Sequence, residues 1–361
     1  MAYVSPYPRS LAQPLRRNKL MVGAGFRGYF APYNAALGSG STDSTQGPTI
    51  INLASGPFTH SALLALGFFD VGWIKDFKTT PETKIGQVRS GYRGAVRAQY
   101  RGQVGETFEL KFNEYGRLQY KLSTGTNVLN LLSGGTPSTN SPLNVTGADS
   151  VALTAYLASD PAESNSPTLD VASVSGFAVG DIVVADVDYD PATYGIIGDA
   201  GTPVFRSAVT NVDYIRMNSD YVGRVVSISG TKLVLDQPLC GGGSGNPTGY
   251  TTPQAGSKVQ KVAGFCAREG GTYISEWTGL FLLDSVDIAQ VAFYYPHLSI
   301  MQNRDTVGAF AIENIGTTDL GGHQLDAQFQ ALAFDDPVDG ETAVCYRCLF
   351  PPPGASSNAA Y

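Results

Sequence analysis

Two cysteines three residues apart, in Cys345-Tyr346-Arg347-Cys348, have the spacing that redox dithiols and zinc ligands use. Their setting argues against both. The segment reads as a β-strand, in which residues three apart point to opposite faces and lie roughly 10 Å apart, too far for a disulfide. Cys240 and Cys266 supply no second pair to complete a zinc site, so buried free thiols are the expected state. The histidines are His60, His297 and His323, none within a motif, which leaves a catalytic triad or a two-histidine metal site little to draw on. Gly23-Ala24-Gly25-Phe26-Arg27-Gly28 matches the dinucleotide fingerprint, but that fingerprint needs a helix N-terminus to hold a pyrophosphate. Pro32 follows four residues later and no βαβ unit is in sight, so glycine-rich backbone beside a strand is the reading. Asp335-Asp336 and the trio Asp186, Asp188 and Asp190 lack the spaced loop of a dedicated calcium site, and turn chemistry accounts for them. The expectation is a protein that is not an enzyme and binds no cofactor or metal.

Charge gives the stronger signal. From Ile74 to Lys121 there are 10 Lys and Arg against 5 Asp and Glu, while the rest of the chain holds 14 against 26, within a formal net charge of −7. Lys84, Arg89, Arg93, Arg97 and Arg101 could follow a phosphate backbone. A specific DNA binder is usually basic overall, so subunits that meet basic face to acidic face are the favoured reading.

These residues need elements to position them. At 361 residues with 43% apolar content, the chain is long enough for two or three domains with real cores. Gly and Pro make up about 17% of it, and 36 Phe and Tyr accompany 2 Trp, a profile of short strands with turns. The apolar runs are too short to cross a bilayer, and Met1 to Lys19 has no signal-peptide core, so folding in a cytoplasm is expected and the sequon at Asn144 is read as coincidence.

Residues 1–50 read as an arm with one short strand near Phe26 to Phe30. Val96, Ala98 and Tyr100 alternate with Arg97, Gln99 and Arg101, and Phe108, Leu110 and Phe112 alternate with Thr107, Glu109, Lys111 and Asn113. Gly102 to Gly105 between them predicts an antiparallel hairpin. Asn113 then caps a short helix whose face carries Tyr115, Leu118 and Leu122. Residues 136–168, rich in Ser, Thr, Gly, Asn and Pro, read as a linker with one strand at Val151 to Leu157. Residues 169–239 read as a small inserted β domain of close-spaced short strands, and 240–257 as a flexible linker. Residues 51–135 and 258–352 together make the main core, and 353–361 a tail. Leu325 to Phe334 and Thr342 to Phe350 flank Asp335-Asp336-Pro337-Val338-Asp339-Gly340-Glu341 and predict a long closing hairpin. The fold class is all-β with one short helix.

Over about half its length the chain resembles the tail tube proteins of long-tailed bacteriophages and related phage-like particles. The resemblance is carried by Phe68 to Thr83 with Trp73 and Pro81, by Ile85 to Gly91, by the Val96 and Phe108 strands with the Tyr115 helix, and by Leu325 to Pro351. It implies a tail-tube β-sandwich or barrel, here with an inserted small β-barrel domain on the outside. It further implies homo-oligomeric rings, commonly hexameric, stacked into a tube in the virion, which a tape-measure protein fills and tail-end proteins close. DNA would pass through transiently and without specificity, through a lumen that a net negative subunit leaves free of basic charge. The long loop from about Lys75 to Gly94 would reach a neighbouring subunit or ring. The interface residues expected on this basis are Lys75, Asp76, Lys78, Glu82, Lys84, Arg89, Arg93, Arg97, Arg101, Asp335, Asp336, Asp339 and Glu341. A tail terminator, a distal tail adaptor or a glycan-binding or carbohydrate-active tail protein is the alternative.

Overall fold

A computed structural model describes residues 23–33, 51–82, 84–90, 95–114, 116–133, 136–137, 145–146, 150–185, 222–239, 258–268, 276–285, 290–301, 325–336 and 338–350. Strand β1 (Gly23–Pro32) precedes helix α1 (His60–Ala65), β2 (Phe69–Pro81), β3 (Lys84–Ser90), β4 (Ala95–Gln103), β5 (Glu106–Phe112) and helix α2 (Arg117–Thr124). The middle of the chain holds β6 (Asn127–Leu132), β7 (Thr136–Pro137), β8 (Val145–Thr146), β9 (Ser150–Asp160), β10 (Ser166–Val171), β11 (Ile182–Ala185), β12 (Gly223–Ser229), β13 (Lys232–Leu235) and β14 (Lys258–Arg268). The last part holds β15 (Glu276–Ser285), β16 (Gln290–Ile300), β17 (Leu325–Ala331), β18 (Phe334–Asp335), β19 (Thr342–Ala343) and β20 (Tyr346–Phe350). The protein is mostly β-strand.

Six antiparallel strands close into a barrel in the order β15, β1, β2, β5, β17, β16 and back to β15, with β20 added along β16. Period-two alternation explains the closure: Phe108, Leu110 and Phe112 of β5 face inward beside Leu325, Ala327, Phe329 and Ala331 of β17. The interior is aromatic, with Phe108 stacked on Phe329 at 5.1 Å and edge-on to Phe281 at 5.3 Å. In β15 the apolar run is buried on both faces. Phe281 points inward, while Leu280 and Leu282 lie with Tyr29, Ala292 and Tyr294 in an outer layer covered by Ile51, Phe58, Leu63 and Phe68. Glycines thin the wall where strands approach closely: a Cβ on Gly28 would sit 2.8 Å from Val71 Cγ2.

A second ring of pairings runs β11, β12, β13, β10, β9, β14 and back to β11, with β6 added along β14, around Leu153, Leu169, Val183, Val225, Leu233 and Val259. It interrupts the first barrel between β5 and β15. Helix α2 sits at this junction: Leu122 packs into the first core, and Arg117 Nη2 donates to the carbonyl of Val128 on β6 at 3.1 Å.

Several expectations need correction. The 136–168 linker contains β9 and β10, and β14 at 258–268 pairs with β9, β11 and β6, so the inserted unit is larger than 169–239 and takes its core from both flanks. The expected strand at Val151 to Leu157 is there as β9, while the polar composition of the flanking residues hid β10 and β14. The arm of 1–50 contributes not a short strand but a ten-residue barrel strand between β15 and β2. Among the described residues there are two α-helices, since His60–Ala65 also coils, capped by Thr59 Oγ1 accepting from Ala62 N. Helix α2 starts at Gly116 without a side-chain cap, and the Asn113 amide donates instead to the carbonyl of Trp73. Strand β4 pairs with β3 and not with β5, whose edges β2 and β17 occupy. The long closing hairpin shrinks to the two-residue ladder of β18 and β19, because β17 and β20 follow the same edge of β16 end to end. Residues 240–257, 353–361, Cys240, His323 and the Asp186 to Asp190 trio lie outside the described residues.

Gly28→Ala should lower stability by about 1–3 kcal/mol through overpacking against Val71, read as a lower urea midpoint with an unchanged slope. An unaltered midpoint would show that the wall between β1 and β2 gives way freely.

Candidate functional site

The ladder registers put the two charged segments at one end of the first barrel. Pro81, the last residue of β2, is opposite Glu106, the first of β5, and Glu106 is opposite Ala331, the last of β17. The β3–β4 hairpin therefore springs from the same strand ends as the excursion that carries Asp335 to Glu341. The inserted unit leaves from the other end, after Phe112 and before Glu276.

Among the described residues the hairpin is an arm with no ladder but its own: β3 and β4 form a separate two-stranded sheet. Val88 lies opposite Ala98, while Ile85 lies opposite Arg101 and Val96 opposite Arg89, so apolar residues fall on both faces of the hairpin, and Ile85, Val88 and Val96 are 60%, 50% and 45% exposed. A pattern that ordinarily marks a half-buried strand is here uncovered within the subunit. Lys84 and Arg89 are exposed on it, and Arg89 Nη2 donates to Gln87 Oε1 at 3.0 Å. Arg97 and Arg101 fall on β4, and Arg93 lies outside the described residues.

At the arm's base the remaining predicted residues divide. Asp76 occupies a bulge with φ 52°, where Asp76 and Phe77 lie between the Lys75–Lys111 and Lys78–Glu109 pairs. Its carboxylate meets Lys111 at 3.1 Å, and Lys78 meets Glu109 at 3.4 Å, so these partners are satisfied within one subunit. Such exposed pairs contribute about 0–1 kcal/mol each. Lys75 is exposed on β2, and the exposed Glu82 ties the arm's base through its amide to the carbonyl of Gly105 at 2.7 Å.

The acidic turn is built by its own carboxylates. Asp336 Oδ1 accepts from Val338 N and Asp339 Oδ1 from Glu341 N, both at 2.9 Å, while Thr342 donates to Asp335 Oδ1 at 2.8 Å. Gly340 takes the required positive φ of 73°. Tyr346 Oη donates to Asp336 Oδ2 at 2.6 Å, and this bond holds the Asp336 carboxyl below the usual range. Among the side chains described, no arm cation meets an acid of this turn.

Sequence reasoning missed the knot at the root of the arm. Glu106 Oε1, on a side chain 5% exposed, accepts from Tyr295 Oη at 3.1 Å and from Arg347 Nη2 at 2.8 Å, joining β5, β16 and β20. The signal was present: Glu106 is two residues before Phe108 and so falls on the inward register of β5. Burial raises the Tyr295 phenol and pushes the neighbouring Cys345 thiol up to about 11. Cys345 packs with the barrel interior and Cys348 with the outer layer, so the two face opposite ways, and both are free thiols. Two histidines act as clamps. His60 Nδ1 lies 3.3 Å from Asp70 Oδ2, fixing α1 to β2, and His297, stacked on Tyr33 at 3.7 Å, lies 3.3 Å from Glu276. The fingerprint glycines Gly25 and Gly28 stand within β1, where they admit Trp73 and Val71.

Glu106→Ala should lower stability by about 1–3 kcal/mol, because Tyr295 is left buried without its acceptor; chemical denaturation measures it. Iodoacetamide at pH 8 should leave Cys345 unmodified in the folded chain and modify it after unfolding, with peptide mass spectrometry as the readout. The depressed Asp336 carboxyl contributes stability that is complete above its unfolded value near 3.9 and is lost as the pH falls through the lower folded value. Tyr346→Phe should move its midpoint in an NMR titration back toward about 3.9, and an unmoved midpoint would assign the depression to the backbone amides. No known protein family matches the chain, and no curated protein matches it.

Proposed function

We propose that the chain is a structural subunit that oligomerises into stacked rings forming a phage tail tube, the conduit for DNA ejection, and that it is not an enzyme. The observation that carries this reading is the arm, a hairpin whose apolar residues Ile85, Val88 and Val96 stand exposed in the subunit and which carries cations and no acids between Lys84 and Val104. A surface of that kind is completed by another protein surface, and in a chain that is acidic elsewhere a second copy is the suitable one. Strand β20 adds an edge: it ends the sheet and pairs only through β16. Joining each such edge and arm to the next copy around a closed ring removes both liabilities. The resemblance of the Phe68 to Thr83 segment to tail tube proteins favours the tube among possible assemblies. The inserted unit, which leaves the opposite end of the barrel, would be displayed on the outside. Tape-measure and tail-end proteins are the further partners, and the virion tail is the location.

Negative-stain microscopy of the concentrated protein, alone or seeded with tail-end proteins, should show rings or tubes. A monodisperse monomer throughout would sink the reading. Replacing Lys84 and Arg89 together by Glu should stop tube growth while leaving the melting temperature within a few degrees, since exposed substitutions change stability by about 0.5 kcal/mol or less. Tubes that still grow would remove the arm from the assembly surface.

A further inference from the structure

The arm continues a ladder of the barrel. Pro81 lies opposite Glu106, the Glu82 amide donates to the carbonyl of Gly105, and Lys84 lies opposite Gln103. Strands β3 and β4 therefore prolong β2 and β5 past Val104 and Gly105, and β4 carries on the edge that β5 gives to β17.

Strand β20 stands at the matching place on the other side of that line. It follows β17 along the same edge of β16, with Tyr346 opposite Tyr294 and Phe350 opposite Gln290. Levels can be counted through β17, since Leu298 lies opposite Ala331 and Ala331 opposite Glu106. Strand β16 bulges at Pro296 and His297, so that Tyr295 and Leu298 both face the core. With that bulge taken as one step, Tyr295 is level with Val104, and β20 from Tyr346 to Phe350 is level with Gln103 back to Gln99. The two strands run antiparallel, yet among the described residues no ladder joins them.

Burial records the gap. Ala327 and Phe329 of β17, beside β5, are 1% and 0% exposed. On β20, Tyr346, Cys348 and Phe350 pack with the outer layer, but Leu349, which points the other way, is 51% exposed. Arg347, on the same side as Leu349, reaches Glu106 at 2.8 Å and holds β20 against the root of the arm.

We infer that the arm is a strap poised to close: bending at Val104 and Gly105, β4 seats its open edge on the open edge of β20 in its own subunit, with Tyr100 level with Leu349. Seating pairs two exposed edges with each other and covers Leu349, and Gly102, level with Arg347, leaves that side chain its place beside Glu106. On the reading that copies of this chain assemble, a seated arm withholds both edges from a second copy and so restrains association until it swings out.

Tyr100→Cys combined with Leu349→Cys tests the seat, since opposite residues of an antiparallel pair have Cα atoms about 4.5–5.5 Å apart, within disulfide reach. Oxidation of the dilute chain should join the two positions within one molecule, seen as a monomer on a non-reducing gel and assigned by peptide mass spectrometry. Val96→Cys with Leu349→Cys should not link. In the unaltered chain, the β20 amides that do not bond to β16 should exchange with solvent more slowly than those of an unstructured peptide, by about tenfold or more. The linked chain should form no rings or tubes until a reductant opens it. A link that forms only between molecules, one that forms as readily from Val96→Cys, or β20 amides that exchange like an unstructured peptide would overturn the strap while tube formation stands. A linked chain that assembles as well as the reduced one would overturn its restraint on assembly. A parent chain that forms no rings or tubes under any condition would overturn the proposed function, while the intramolecular link would still establish the seat.

Discussion

Closure of six strands around a set of aromatic rings is the constraint on which the rest depends. A barrel of this size has an interior that side chains fill completely, and Phe108 sits within it, with Phe77, Phe281, Tyr295 and Phe329 at centroid distances between 4.7 and 5.4 Å. Once β5 lies between β2 and β17, both its edges are occupied. No strand of that ring remains to pair with β4, so the segment between β2 and β5 pairs with itself. The projecting arm is thus a consequence of closure.

The same closure places polar groups where they serve as ties. Glu106 enters the core register at the arm's root and is held there by Tyr295 and Arg347, which binds the start of β5 to the added strand β20. A carboxylate in that position requires its donors, so any movement of β20 is coupled to the base of the arm. His60 and Asp70 do similar work on the outer wall, fixing α1 over Tyr29. The barrel's own edges are closed by ladders, while among the described residues the β3–β4 arm and the outer edge of β20 carry no further ladder.

Much of the strand content is legible in the residues themselves. Phe108, Leu110 and Phe112, the Ile182 to Ala185 run and the Leu280 to Leu283 run announce strands because burial of one or both faces leaves a period of two or an unbroken apolar stretch. The turn at Asp335 to Glu341 is equally plain, since Asp side chains close it locally and Gly340 takes a backbone angle that favours glycine. The charge imbalance between the arm and the rest of the chain is a matter of counting, and so are the cysteine spacing and its failure to make a disulfide within a strand.

Pairing partners are another matter, because a strand's pattern states which face is buried and says nothing about which strand lies beside it. The sequence pattern puts β5 beside β4 and β17 beside β20, whereas β4 pairs with β3 and β20 with β16. Strands from distant positions, β2 with β5 across the arm and β15 with β1 across two hundred residues, occupy those edges first. The inserted unit was undersized for the same reason: β9, β10 and β14 close its ring only through contacts that no local pattern records. The sequence alone determined that the chain is β-rich, acidic as a whole and interrupted by a basic stretch. Tertiary structure decided that this stretch folds as a hairpin paired to itself with Ile85, Val88 and Val96 exposed, because both edges of β5 were already taken in the ring of hydrogen bonds beneath it.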